Sequence, residues 1–163
     1  MPDTTAKKDI VVTRVFDAPV ELVWKAWTDP QHVMRWWGPI GFTSPTCEMD
    51  VRVGGTSLVC MRSPEGQDLY LTWAYREIDP MRRIEFIQNL ADKDGKRIDP
   101  VEVGMPPEFP KDVRTVVALE AMGASTKMIV TEYGYTADRM FDLSLAGLNQ
   151  CLDKMGAVVA STG

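Results

Sequence analysis

The residues available for chemistry are few. There is one histidine in 163 residues. His32 lies beside Gln31 and Val33 in a short helical stretch, off its apolar side, where an imidazole is solvated and serves poorly as a general base. Cys47, Cys60 and Cys151 are odd in number, far apart and without C-x-x-C spacing. They read as reduced thiols buried as small hydrophobes, with neither a disulfide framework nor a zinc site. No G-x-S-x-G elbow, H-E-x-x-H pair, phosphate loop or dinucleotide glycine fingerprint occurs. Gly54-Gly55 runs on into a strand with no Lys-Ser or Lys-Thr behind it, so it is a tight turn or bulge. The expectation is therefore no cofactor and no metal. What remains is a carboxyl. Glu132 shares strand alternation with apolar Met128 and Val130, and burial would lift its pKa towards neutrality. Arg62 or Tyr75 could then steady a developing oxyanion. Such a group suits a cyclase, dehydratase or hydrolase, with Glu132 as its candidate acid or base.

The elements that must position these groups follow from periodicity. Ile10 to Phe16 alternates β-branched and polar residues and predicts a strand. Pro19 opens a helix, with Asp17 placed to cap it, and Val20, Val23, Trp24 and Trp27 form its apolar stripe. Thr28-Asp29-Pro30 interrupts it. A second short helix carries Val33, Met34 and Trp37 on one side and stops at Gly38-Pro39. Trp24, Trp27 and Trp37 are expected as core anchors, leaving Trp36 more exposed as a possible partner-docking patch. Strands are predicted near 43–52, 56–63, 68–77, 82–90, 112–121 and 126–134, joined by short turns and hence antiparallel. Residues 91–111 carry Pro100, Pro106, Pro107 and Pro110 and form a long loop, a possible lid. The last 25 residues or so read as one helix with a seam of Phe141, Leu145, Leu148, Leu152, Met155 and Val159. Gly147 inside it costs about 1 kcal/mol relative to Ala, which predicts close approach to another element.

This order is α+β, with segregated helices and a sheet of about seven strands. One long helix covers only a strip of such a sheet. If the sheet curves around it, space remains between them for a guest. Alternation assigns an inner face: Leu58, Cys60 and Arg62; Leu71, Trp73 and Tyr75; Ile84, Phe86 and Gln88; Thr115, Val117 and Leu119; Met128, Val130 and Glu132. Arg62, Gln88, Thr115 and Glu132 are its polar exceptions, sited at strand ends, paired together (Arg62 with Glu132, for example), or orienting a ligand's polar head. The candidate ligand-binding set is Cys60, Arg62, Leu71, Trp73, Tyr75, Phe86, Gln88, Thr115, Val117, Met128, Val130 and Glu132, with Leu148 and Leu152 from the helix.

Composition limits the partners. A net charge of -5 supplies no basic face for nucleic acid. No apolar run is long enough to span a membrane, and the start, MPDTTAKKDI, does not resemble a signal peptide, so a cytoplasmic protein is expected. At this length a single domain over 1–163 is the expectation, with a flexible start at 1–8.

The stretches Arg14-Val15-Phe16-Asp17-Ala18-Pro19, Val23-Trp24-Lys25-Ala26-Trp27-Thr28-Asp29-Pro30 and Arg35-Trp36-Trp37-Gly38-Pro39 together resemble the N-terminal signature of domains homologous to the activator of heat-shock protein 90 ATPase. Asp50-Val51-Arg52-Val53-Gly54-Gly55, Tyr75-Arg76-Glu77-Ile78-Asp79-Pro80 and the run from Gly147 to Met155 continue the resemblance over nearly the whole chain. It implies membership of the START-like SRPBCC superfamily, with a helix-grip fold: a curved antiparallel sheet around a long C-terminal helix, enclosing a deep cavity for lipids, polyketides and similar molecules. It implies no single reaction. Trp73 stands where such domains commonly carry Gly, which would narrow the cavity. Leu148 stands where they usually carry Trp, which would widen it. The resulting expectation is a binder of a small apolar molecule. Its rivals are an enzyme using the same cavity and a chaperone-regulating protein, with a protein partner or a homodimer possible.

Overall fold

The computed structural model describes residues 7–104, 110–136 and 139–162. Its seven strands are β1 (Lys7–Phe16), β2 (Cys47–Glu48), β3 (Thr56–Arg62), β4 (Asp68–Asp79), β5 (Arg83–Ala91), β6 (Val113–Met122) and β7 (Ser125–Thr136). They form one antiparallel sheet in the order β1-β7-β6-β5-β4-β3-β2. Helices α1 (Val20–Thr28) and α2 (Pro30–Trp36) fill the β1–β2 connection, and α3 (Arg139–Thr162) follows β7. This is the α+β helix-grip arrangement. β1 starts at Lys7, ahead of the alternation that begins at Ile10. β2 is only two residues long, because Pro45 has no N–H to give a ladder and the chain around it runs as coil. Within residues 91–111, Ala91 bridges to Arg97 and a 3-10 turn forms at Pro100–Val103, closed by an Asp99–Glu102 capping box. Pro106 and Pro107 lie outside the described residues.

Three local expectations for the helices need correction. Pro19 is itself the N-cap of α1, in extended conformation and with no side-chain cap, so Asp17 lies too far upstream to serve. Asp29 does cap α2, accepting from the Gln31 N–H at 2.8 Å. Trp36 and His32 are buried, at 0% and 8% exposure, where an exposed indole and a solvated imidazole were expected. α2 lies against α1, α3 and β2, so of its residues only those on the Gln31–Arg35 side stay exposed. A stripe argument assigns one face to the core and cannot anticipate a helix buried on several sides. Trp36 Nε1 donates to the Ala26 carbonyl at 2.7 Å, which fixes the angle between the two helices.

The core holds one aromatic group that fills part of the concave face. Trp27 meets Trp36 edge-on at 4.8 Å, Trp37 meets Trp73 edge-on at 5.2 Å, and Trp73 stacks on Phe86 at 4.9 Å. Trp27 Nε1 also donates to the Met128 sulfur at 3.2 Å. Towards its C-terminal end, α3 adds Leu152, Met155, Val158 and Val159, all buried. Beside this group the sheet and helix make solid contact. Around the first half of α3 they do not.

Candidate functional site

A hollow of about 390 Å³ lies between the inner face of the sheet and the first half of α3. Small-molecule sites usually occupy roughly 300–1,000 Å³. Its walls are mostly apolar: Trp37, Met61, Leu69, Leu71, Leu90 and Val113 on one side, Leu143, Gly147, Leu148 and Cys151 of α3 on the other. Pro110 and Lys111, from the end of the long loop, lie at its edge. The Lys111 ammonium is held 3.0 Å from Asp99 on the outside.

Strand register decides which of the expected residues reach the hollow. Leu71 and Gln88 line it, as do Glu132 and Leu148. Trp73, Tyr75, Phe86, Thr115, Val117, Met128 and Val130 share the same sheet face, and Leu152 lies opposite them on α3. They belong to the filled part of the core and do not line the hollow. Cys60 and Arg62 are on the wrong face. The five-residue loop after Arg62 pairs Val59 with Leu71 and Met61 with Leu69, so odd-numbered β3 residues point inward and the alternation assigned to β3 is inverted. Arg62 is bound to Asp68 on the far side by hydrogen bonds of 2.7 and 3.0 Å and does not pair with Glu132. Cys60 is buried there, near Tyr70. Neither candidate oxyanion partner is available, since the Tyr75 hydroxyl is also engaged, 2.7 Å from Ser57 Oγ.

A side chain that the alternation missed arrives through an irregularity in the strand pairing. Tyr135 lines the hollow although it is three residues from Glu132, a spacing that would place them on opposite faces of a regular strand. β1 and β7 shift register between Lys8 and Ile10, so Tyr133 and Gly134 together oppose Asp9. Gly134 takes φ +94°, and its N–H meets the Asp9 carboxylate at 3.3 Å. This bulge resets the alternation and turns both Glu132 and Tyr135 inward. The glycine was the available signal. Gly147 reverses its expectation: a Cβ there would meet nothing within 4 Å, so it borders empty space and makes no close contact.

Electrostatically the hollow is incomplete. Glu132 is 9% exposed, and among the described residues no hydrogen bond or ion pair reaches its carboxylate. Burial pushes its pKa up to about 7. Trp37, 8% exposed, has an indole N–H with no partner. The Gln88 carbonyl is taken by Trp73 Nε1 at 2.9 Å. The Tyr135 hydroxyl is bonded to Ser144, and burial with the nearby Glu132 charge holds that phenol above its ordinary range. Burial raises the Cys151 thiol to about 11, so it is neutral near pH 7. No group of His, Cys, Asp and Glu suited to a metal occurs among the described residues. None of the described helices is long and apolar enough to cross a membrane.

A curved antiparallel sheet gripping a long C-terminal helix, with a hollow between them, defines the helix-grip class of the SRPBCC superfamily. The comparisons with known proteins narrow this further. Residues 17–160 match the family described as activator of Hsp90 ATPase homolog 1-like protein, and the chain belongs to that family. Solved structures agree in fold. A protein from Chromobacterium violaceum is 27% identical with TM-score 0.73, over 93% of this chain and 96% of its own. A protein from Arthrobacter aurescens is 23% identical with TM-score 0.76, over 98% and 93%. An AHSA1 protein from Silicibacter pomeroyi is 21% identical with TM-score 0.76, over 96% and 100%. No curated protein matches the chain.

Proposed function

We propose that this chain is a single-domain cytoplasmic protein that binds a small, largely apolar molecule, lipid-like or polyketide-like, in the hollow between the sheet and α3. The observation that carries the reading is the unfilled space itself. Protein interiors are packed to crystal-like density, and a lining that has no atoms opposite it forfeits dispersion energy. Here the gap is flanked by Gly147, a residue that weakens a helix by about 1 kcal/mol relative to Ala and makes no contact in exchange. Such a gap is understandable if a guest fills it. Glu132, whose carboxylate has no hydrogen-bond or ion-pair partner among the described residues, borders the same space and offers that guest a polar anchor.

The test uses an environment-sensitive apolar dye together with a Gly147→Phe variant that fills the space. The expected result is dye fluorescence and a raised melting temperature in the natural sequence, both lost in the variant while cooperative unfolding persists. Equal dye binding by both proteins would place the dye elsewhere and remove the support.

One observation favours a second reading, catalysis in the same space. A carboxyl with a pKa of about 7 can both give and take a proton near neutral pH. It has no oxyanion partner in Arg62 or Tyr75, so Glu132 would act alone. On this reading Glu132→Gln abolishes turnover, and retained turnover excludes it. The family description suggests a third role, as a protein partner of a chaperone ATPase. That role cannot use Trp36 as its docking patch, because Trp36 is fully buried.

A further inference from the structure

We infer that the guest of this cavity carries a protonated amine, which pairs with the Glu132 carboxylate inside the apolar wall; this rests on the binding role proposed above. Among the described residues, the groups around Glu132 include no cation. On its own strand Tyr135 is bonded to Ser144 of α3. On β6 the Thr115 hydroxyl is turned to the Val113 carbonyl at 3.3 Å, and on β1 the residue opposite is Ile10. From α3 comes Cys151, a neutral thiol whose own pKa is raised partly by the Glu132 charge. Lys111 is the one basic residue among the described lining, and it is committed to Asp99.

This arrangement favours one kind of head group. Folding has already taken the carboxylate out of water, so an incoming cation meets a desolvated charge in a low-dielectric site and must lose only its own hydration. The aromatic lining residues Trp37 and Tyr135 tolerate a cation near their faces. A carboxylate head would instead bring two like charges together in a dry site. The net charge of -5 acts at longer range in the same sense, attracting cations and repelling anions.

The pH dependence has a definite sign. The pair needs an ionised Glu132 and a protonated amine. Affinity therefore rises as pH passes the Glu132 pKa of about 7 and holds until the amine itself loses its proton.

Octylamine, octanol and octanoate share one hydrocarbon tail and differ only in the head. Calorimetric titration of the full chain at about pH 8 is expected to show octylamine binding at least ~10-fold more tightly than octanol, with octanoate undetected. The amine's advantage shrinks at about pH 5.5. In Glu132→Gln that advantage disappears, and cooperative urea unfolding of the variant with an unchanged m-value shows that it is folded. Octanoate binding as well as octylamine, or an unchanged amine-to-alcohol ratio in Glu132→Gln, overturns the inference and leaves the cavity reading standing. If none of the three binds, both fall.

Discussion

Replacing Glu132 by glutamine should change how stability depends on pH, without any ligand present. In the unfolded chain a glutamate titrates near 4.5, and in the folded protein burial moves Glu132 to about 7. Below about pH 4.5 both states hold the proton, and the residue contributes nothing to the difference. As pH rises, the unfolded state releases its proton first, so the folded state binds more protons and stability falls until Glu132 ionises near pH 7. Over the span from about 4.5 to about 7, at ~1.36 kcal/mol per pH unit, this amounts to roughly 3 kcal/mol lost. The amide of the Glu132→Gln variant cannot ionise, so that protein loses none of it. Urea unfolding of both proteins at several pH values isolates the effect, because every other titrating group cancels in the difference. Glu132→Gln should gain on the natural sequence by roughly 2–3 kcal/mol between pH 5 and pH 8, with unchanged m-values. Parallel stability curves would mean that Glu132 is hydrated or paired, and the desolvated carboxyl would have to be abandoned.

Three other substitutions test separate parts of the account. Gly147→Ala should stabilise the protein by about 0.5–1 kcal/mol in thermal unfolding, since it improves helix propensity and adds a methyl where nothing lies within 4 Å; destabilisation would mean that the helix is packed there. Trp36→Ala should cost roughly 3–5 kcal/mol in urea unfolding, as for a buried indole with a hydrogen bond; a loss under about 0.5 kcal/mol would return Trp36 to the surface. Arg62→Ala removes an exposed ion pair and should leave the melting temperature nearly unchanged while dye binding is unaffected; loss of dye binding would place Arg62 at the cavity after all.

The strands from β3 to β7 and the seam of α3 were legible because alternation, turn residues and helical spacing agree with the tertiary arrangement. The site was less legible, for reasons that lie in particular residues. Alternation within β3 could not be tied to β4 without the register of the hairpin between Arg62 and Asp68, and a slip of one residue exchanged Cys60 for Met61 on the inner face. Tyr135 depends on a bulge whose only sequence mark is Gly134. Trp73 does point inward, as the alternation assigned it, but it is absorbed by Trp37 and Phe86 and bounds the hollow from the filled side. Gly147 could be read as a contact or as a gap, and only the positions of its neighbours distinguish the two.

The central claim is that the gap beside the first half of α3 admits a guest, and isotope-edited NMR of the chain with octanol observes that directly. Intermolecular cross-peaks from the octyl chain to the side chains of Leu71, Leu148 and Tyr135 are expected. Cross-peaks confined to exposed apolar residues such as Val11 and Val15 on the outer side of β1, with none to those three, would contradict it.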